Sequence, residues 1–285
     1  MKFVKKAVKR FMPGETEDDA IVAAQNLLKY NIPTTFTHLG ENISSIKEAE
    51  ENTEHYINVL DKISECGLDT EISVKLTQLG FDQSFDKSIE LFSAIADKAQ
   101  NVNNKIMLDI EDSSYVDGTI SFYKLIKEKY DNVGLCLQAY LYRTMEDIKS
   151  LTEIDPWIRL VKGAYKEPES VAFRKFSDVN SNYLLLSKYL FKKVIKRGIR
   201  TAFATHDLNI HNQIKSEAKK IGIESENWEF QMLFGIKTGA QHLLATEGYK
   251  IRTLISYGEH WYPWYMRRLA ERPANVGFVL KNIFS

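Results

Sequence analysis

Short apolar, β-rich runs recur along almost the whole chain, and each is followed by a stretch in which apolar positions return every three or four residues. The runs fall at Thr34–Leu39, Glu71–Leu76, Lys105–Ile110, Gly134–Gln138, Trp157–Val161, Thr201–Thr205, Trp228–Met232 and Arg252–Ser256. Between them the period changes. Phe85, Ile89, Phe92 and Ile95 make one helical stripe, and Ile210, Ile214, Ala218 and Ile221 make another, because residues three and four apart share a helix face. Gly67, Gly198, Gly222 and Gly248 stand just before the next strand, where a left-handed residue closes a helix. Eight strand–helix units predict an α/β protein with a (β/α)8 barrel rather than an open doubly wound sheet. No Gly-x-Gly-x-x-Gly follows the first run, which weighs against a Rossmann domain. The expected organisation is one domain over residues 1–285, with N-terminal helices in 1–33 and the barrel in 34–285.

Composition narrows the class. A chain of 285 residues that is 44% hydrophobic can bury a sizeable core. Its formal net charge of zero argues against a nucleic-acid binder that relies on broad phosphate neutralisation. Cys66 and Cys136 lie in different elements, in neither a disulfide framework nor a zinc spacing, so a reducing, cytoplasmic setting is expected. No apolar run is long enough to span a membrane. At the start, Lys2, Lys5, Lys6, Lys9 and Arg10 alternate with Phe3, Val4, Ala7, Val8 and Phe11. Residues 1–12 read either as a solvated terminus or as a basic amphipathic helix resting on the inner face of the cytoplasmic membrane.

Candidate chemistry collects at the C-terminal ends of the predicted strands, where such barrels build their sites. Arg159 shares a strand face with Val161, so it competes for an interior position and needs an anionic partner. Asp109 and Glu111 share a face by the same rule, and either suits that role. After the eighth run, Pro263 is placed for the first turn of a helix and Pro273 for its stop. Glu271 is spaced to brace Arg267 or Arg268. Two guanidiniums among Trp261, Tyr262, Trp264 and Tyr265 make either a carboxylate clamp with an apolar wall or an exposed basic helix end. Two chemistries fit the strand ends. In one, Asp109, Glu111 and His206 bind a hard divalent ion for lyase chemistry. In the other, Arg159 and Gln138 address a flavin ring while Thr205 and His206 meet its phosphates or adenosine. The cations Lys75, Arg159, Lys162, Arg267 and Arg268 favour anionic ligands over a dication. The blander roles are a hydrogen-bonded strand-end histidine for His206 and an ion-pair partner for Asp109.

The runs Lys75-Leu76-Thr77-Gln78-Leu79-Gly80, Leu108-Asp109-Ile110-Glu111-Asp112, Gln138-Ala139-Tyr140, Arg159-Leu160-Val161-Lys162-Gly163-Ala164-Tyr165, Phe203-Ala204-Thr205-His206 and Arg267-Arg268-Leu269-Ala270-Glu271 resemble the proline dehydrogenase family, in that family's order. The resemblance covers about residues 34–281 and points to the monofunctional bacterial form. It implies an FAD enzyme that oxidises L-proline to 1-pyrroline-5-carboxylate by hydride transfer to flavin N5 and passes the electrons to a quinone. By motif, it implies that Lys75, Arg267 and Arg268 bind the substrate carboxylate and that Asp109 and Arg159 are catalytic. Ile110, Gln138, Lys162, Gly163, Ala164, Thr205 and His206 are implied to bind FAD, and Tyr165 and Leu233 to line the proline ring. Leu254 and Trp264 occupy ring-lining positions at which the family usually has tyrosine. A dehydrogenase of 4-hydroxyproline or another cyclic imino acid is therefore the nearest alternative. A metal-dependent barrel lyase and a non-catalytic binding protein are more distant ones.

Overall fold

A computed structural model describes Val8 and residues 10–270, apart from the side chains of Leu269 and Ala270. Lys2, Lys5, Lys6, Lys9, Glu271 and Pro273 lie outside the described residues. Helix α1 (Glu17–Leu28) precedes strand β1 (Thr34–His38). Then come α2 (Ile46–Glu65), β2 (Thr70–Val74), a 3-10 turn (Leu76–Leu79), α3 (Phe85–Asn101), β3 (Ile106–Leu108), α4 (Val116–Lys127) and β4 (Val133–Gln138). The chain continues through α5 (Thr144–Leu151), β5 (Trp157–Val161), α6 (Phe176–Lys193), β6 (Thr201–Ala204), α7 (Leu208–Lys220), β7 (Trp228–Leu233), α8 (Thr238–Thr246), β8 (Ile251–Tyr257) and α9 (Trp261–Ala270). All eight strands lie within two residues of the expected bounds, and they close in sequence order into a parallel barrel.

Local chemistry sets the boundaries. Ser45 caps α2 by accepting from Glu48 N, and Ser84 caps α3 by accepting from Lys87 N. Each satisfies a backbone donor that the first helical turn leaves without a partner. Phe92 and Ile95 of the α3 stripe, and Ile210, Ile214 and Ala218 of the α7 stripe, are buried against the barrel. The four glycines placed at helix ends all have positive φ, between +61° and +82°.

Parallel pairing keeps register partners on one face of the sheet. Thr35 stands level with Glu71 and Leu254, and Thr37 with Ser73 and Ser256. Arg159 stands level with Cys136 and Ala202. The inward face is therefore unusually polar for a barrel, whose interior is more often filled by branched apolar side chains. Toward the N-terminal end, Arg200 pairs with Glu71 and Glu229 and lies over the Trp157 ring. Arg252 donates to Thr34 O at 2.8 Å and Asp69 Oδ1 at 3.0 Å. This ionic layer closes the bottom of the barrel and leaves the C-terminal mouth for chemistry.

Candidate active site

Helix α9 brings the two arginines over the mouth. It follows β8 through a short loop, carries Pro263 in its first turn and has Arg267 and Arg268 in its last. Its apolar side is pinned: Trp264 and Tyr265 are buried with Val8, Met12 and Leu39, with Phe11 packed against them. Trp261 Nε1 donates to Glu15 Oε1 at 3.2 Å. Val8, Phe11 and Met12, three apolar members of the proposed membrane-facing segment, thus pack against protein.

Below the helix, Asp109 sits at a charged junction. Its Oδ1 accepts from Arg159 Nη1 at 2.9 Å and Ser73 Oγ at 2.7 Å, and its Oδ2 accepts from Lys75 Nζ at 3.3 Å. Arg159 is 2% exposed and Lys75 8%, so both cations depend on this carboxylate. Burial pushes the Lys75 ammonium pKa down, but Asp109, Glu41 and Glu111 outweigh it and hold it above its ordinary value. The anionic partner of Arg159 is Asp109 and not Glu111. Strand β3 stops at Leu108, so the alternation that put both carboxylates on one face no longer applies. The Glu111 carboxylate turns to Thr77, accepting from its backbone N at 3.1 Å and its Oγ1 at 2.7 Å. Burial there raises its pKa to about 7.

A cavity of about 460 Å³ opens at the strand ends. Lys75, Asp109, Ile110, Gln138 and Arg159 line it, as do Lys162, Gly163, Ala164, Tyr165, Thr205 and His206. Leu233, Leu254, Trp264, Arg267 and Arg268 complete the expected set. Every residue that the family resemblance places in the site therefore lines one cavity, with Glu271 lying outside the described residues. Lys162 follows the last residue of β5, so strand alternation does not turn it outward, and its Nζ pairs with Asp207 Oδ2 at 3.0 Å. The His206 Nε2 accepts from Leu233 N at 2.9 Å, which ties the end of β6 to β7. Gly163 has φ +115°, and a Cβ there would lie 2.3 Å from the Tyr140 ring. Only glycine fits that approach.

Several site residues escaped the sequence reading. Glu41 forms a fork with Arg267, accepting from Nη1 at 3.2 Å and from Nη2 at 2.6 Å. It thus braces Arg267 from the loop after β1. The Arg267 guanidinium also lies 5.1 Å from the Tyr165 ring centroid, and that of Arg268 lies 5.9 Å from the Trp264 ring centroid. Glu41 stands three residues beyond the end of β1, where nothing local says which cation it meets. Gln231, Arg174 and Phe176 also line the cavity.

The trio of the metal reading is dispersed: Asp109, Glu111 and His206 each serve a different partner. No three His, Cys, Asp or Glu residues group to hold a metal ion among the described residues. A larger recess of about 800 Å³ lies at the opposite end of the barrel, around Asp69, Glu71, Arg200, Glu229 and Arg252. Its charges are spent on one another, so the smaller cavity is the better candidate. No helix among the described residues is long and apolar enough to cross a membrane.

Comparison with known proteins gives the family and agrees with the barrel fold. The sequence model of the proline dehydrogenase family matches residues 20–281. Proline dehydrogenase 2 of Bacillus subtilis (strain 168) is 39% identical over 277 residues, which is 97% of this chain and 90% of that protein. The proline dehydrogenase of Deinococcus radiodurans is 36% identical over 279 residues, covering 96% and 89%. Among solved structures, proline utilization A from Bdellovibrio bacteriovorus, inactivated by N-propargylglycine, superposes with a TM-score of 0.86 at 27% identity. That match covers 93% of this chain but 32% of the longer one. The chain belongs to the proline dehydrogenase family, oxidoreductases that act on a CH–NH group.

Proposed function

We propose that the protein oxidises L-proline to 1-pyrroline-5-carboxylate with FAD as its cofactor. The observation that carries this reading is the convergence of Lys75, Arg267 and Arg268 with the Asp109–Arg159 pair on one cavity. Three cations suit one end of a small amino-acid zwitterion, and the walls supplied by Tyr165, Leu233, Leu254 and Trp264 suit its ring. A guanidinium fork binds a carboxylate bidentately. The substrate carboxylate would thus compete with, or bridge to, Glu41 for Arg267. Fixing one end of the substrate orients its reactive carbon and supplies much of the entropic part of catalysis.

The chemistry of the cavity fits a flavin. Arg159 Nε and Nη2 and Gln138 Oε1 are buried without a hydrogen-bond partner among the described residues. Donors and an acceptor of this kind suit the carbonyl oxygens and imide N–H of an isoalloxazine edge. Ile110, Gln138, Lys162, Gly163, Ala164, Thr205 and His206 would hold the cofactor. Bound there, a flavin supplies the two-electron acceptor for the C–N oxidation. Arg159, itself buried, would stabilise negative charge that develops beside it, and Asp109 would keep Arg159 and Lys75 in place. Onward transfer to a quinone and a peripheral contact through residues 1–12 on the cytoplasmic face belong to the same proposal.

The test is anaerobic mixing of the purified protein with cyclic imino acids. Bound flavin should bleach with L-proline, and N-propargylglycine, which inactivated the Bdellovibrio relative, should block the reaction. A colourless protein whose activity needs a divalent ion would overturn the reading in favour of a lyase. Faster bleaching by 4-hydroxyproline would reassign the substrate, which is the alternative favoured by the short Leu254 side chain in the cavity wall.

A further inference from the structure

Glu229, Gln231 and Leu233 are alternate residues of β7, so their side chains share the inward face of the barrel. Leu233 and Gln231 line the cavity, and Glu229 lies one step deeper, in the ionic layer with Arg200 and Arg252. Gln231 is 3% exposed. Its Nε2 donates to Glu229 Oε1 at 2.6 Å. Burial pushes the Glu229 pKa up, but Arg200 and Arg252 together with the Gln231 amide outweigh it and hold it down to about 2. Glu229 is thus an ionised carboxylate that only accepts hydrogen bonds, and this fixes the amide of Gln231. Its nitrogen faces Glu229, because a flipped amide would set oxygen against oxygen. The amide oxygen is buried and has no donor among the described residues. A buried carbonyl left in that condition is costly and rare in folded proteins.

We infer that Gln231 is a further ligand-binding residue of this site, whose side-chain oxygen accepts an N–H from the bound small molecule. The inference rests on the function proposed above, which offers two N–H donors: the secondary amine of the imino-acid substrate and the imide N–H of the flavin. The ionic layer beneath the cavity thereby has a role beyond closing the barrel. Arg200 and Arg252 keep Glu229 charged, Glu229 orients Gln231, and Gln231 presents an acceptor of fixed direction.

The experiment compares the parent holoenzyme with Gln231→Leu, which keeps the bulk and removes the acceptor. Three quantities are read: KM and kcat for proline, the affinity of tetrahydrofuran-2-carboxylate, and flavin affinity with its reduction potential. The ring-oxygen analogue keeps the carboxylate and ring but carries no N–H. If the donor is the substrate amine, KM for proline rises roughly 10- to 100-fold while the analogue and the flavin are unaffected. If the donor is the flavin, its affinity falls or its potential shifts, and both ring ligands change together. Gln231→Glu supplies the rescue and also decides the matter if the leucine variant fails to fold. While protonated, its carboxyl donates to Glu229 and keeps a carbonyl oxygen for the ligand, so it should match the parent at low pH and lose that match as pH rises. Parent values for Gln231→Leu throughout, or a pH-independent Gln231→Glu, would mean that the oxygen serves only an internal water. That result overturns the inference alone. A parent that binds neither flavin nor proline overturns the functional reading with it.

Discussion

Neutralising Asp109 tests the electrostatic design of the mouth most directly. Asp109→Asn keeps the shape but removes the one carboxylate that touches both Arg159, at 2.9 Å, and Lys75, at 3.3 Å. At an effective dielectric near 20, a unit pair at about 3 Å is on the order of 5 kcal/mol, so two pairs approach roughly 10 kcal/mol before solvation is counted. Desolvation of the carboxylate offsets much of that. The arginine side chain is 3% exposed, the lysine 10% and the aspartate 15%. Water therefore screens little of the repulsion left between the two cations. Breaking a buried pair by removing one partner costs about 3–5 kcal/mol. For a chain of this size each kcal/mol lowers Tm by roughly 2 °C, so the variant should melt about 6–10 °C below the parent.

The assay is thermal unfolding of parent and variant with and without a carboxylate ligand. An anion that enters the site repairs part of the lost compensation, so the ligand-induced rise in Tm should be larger in Asp109→Asn than in the parent. Lys75 should also titrate lower in the variant, because Asp109 is among the charges that hold it up against burial. A variant that melts within about 1 °C of the parent, with the same ligand shift, would refute the idea that Asp109 holds the two cations in place.

Arg267→Met should lower kcat/KM for proline by roughly 2–4 kcal/mol with flavin content unchanged; apoprotein of normal stability would instead assign the arginine to the cofactor. Leu254→Tyr should fill the ring wall and increase the preference for proline over 4-hydroxyproline, since an unfilled pocket rejects an added hydroxyl only weakly; equal discrimination in parent and variant would show that other residues close the pocket. Acid should unfold the protein in two windows. His38 and His211 are held neutral by burial, with pKa values near 4 against 6.5, so the stability they contribute is complete above pH 6.5 and is lost as pH falls toward 4. Glu229, held near 2 against 4.5, adds a loss between pH 4.5 and 2. Glu111, raised to about 7, has the opposite sign and destabilises as pH rises from 4.5 to 7. His38→Asn should therefore flatten Tm against pH between 4 and 6.5, and an unchanged slope there would count against the assignment.

What the sequence made legible follows from which physical rules act locally. Strand and helix periods, helix-closing glycines and the eightfold alternation depend on neighbours within a turn or a pleat, and the barrel follows them closely. Thirteen expected residues of the quoted runs, with Leu233, Leu254 and Trp264, meet at one cavity because strand ends converge there whatever their partners. Partner choice is different in kind. Glu41 and Arg267 are 226 positions apart, and only closure of β8 onto β1 brings the loop after β1 under α9. Parity assigned Glu111 the same side as Asp109, yet parity holds only inside a strand, and β3 ends before either residue. Once released, Glu111 took the nearest donors, Thr77 N and Oγ1, and left Asp109 to balance both cations. Nothing local to β7 says what the Gln231 side chain meets. Its significance appears only when Glu229, two residues deeper, is seen to be ionised by arginines on β8 and just before β6. Charges in this barrel are thus specified as a layered set across strands: the bottom layer orients the Gln231 amide, the middle layer holds a compensated pair of cations, and α9 carries Arg267 and Arg268 over them. A substitution in any one layer should be felt in the next, which no single strand of the sequence can disclose.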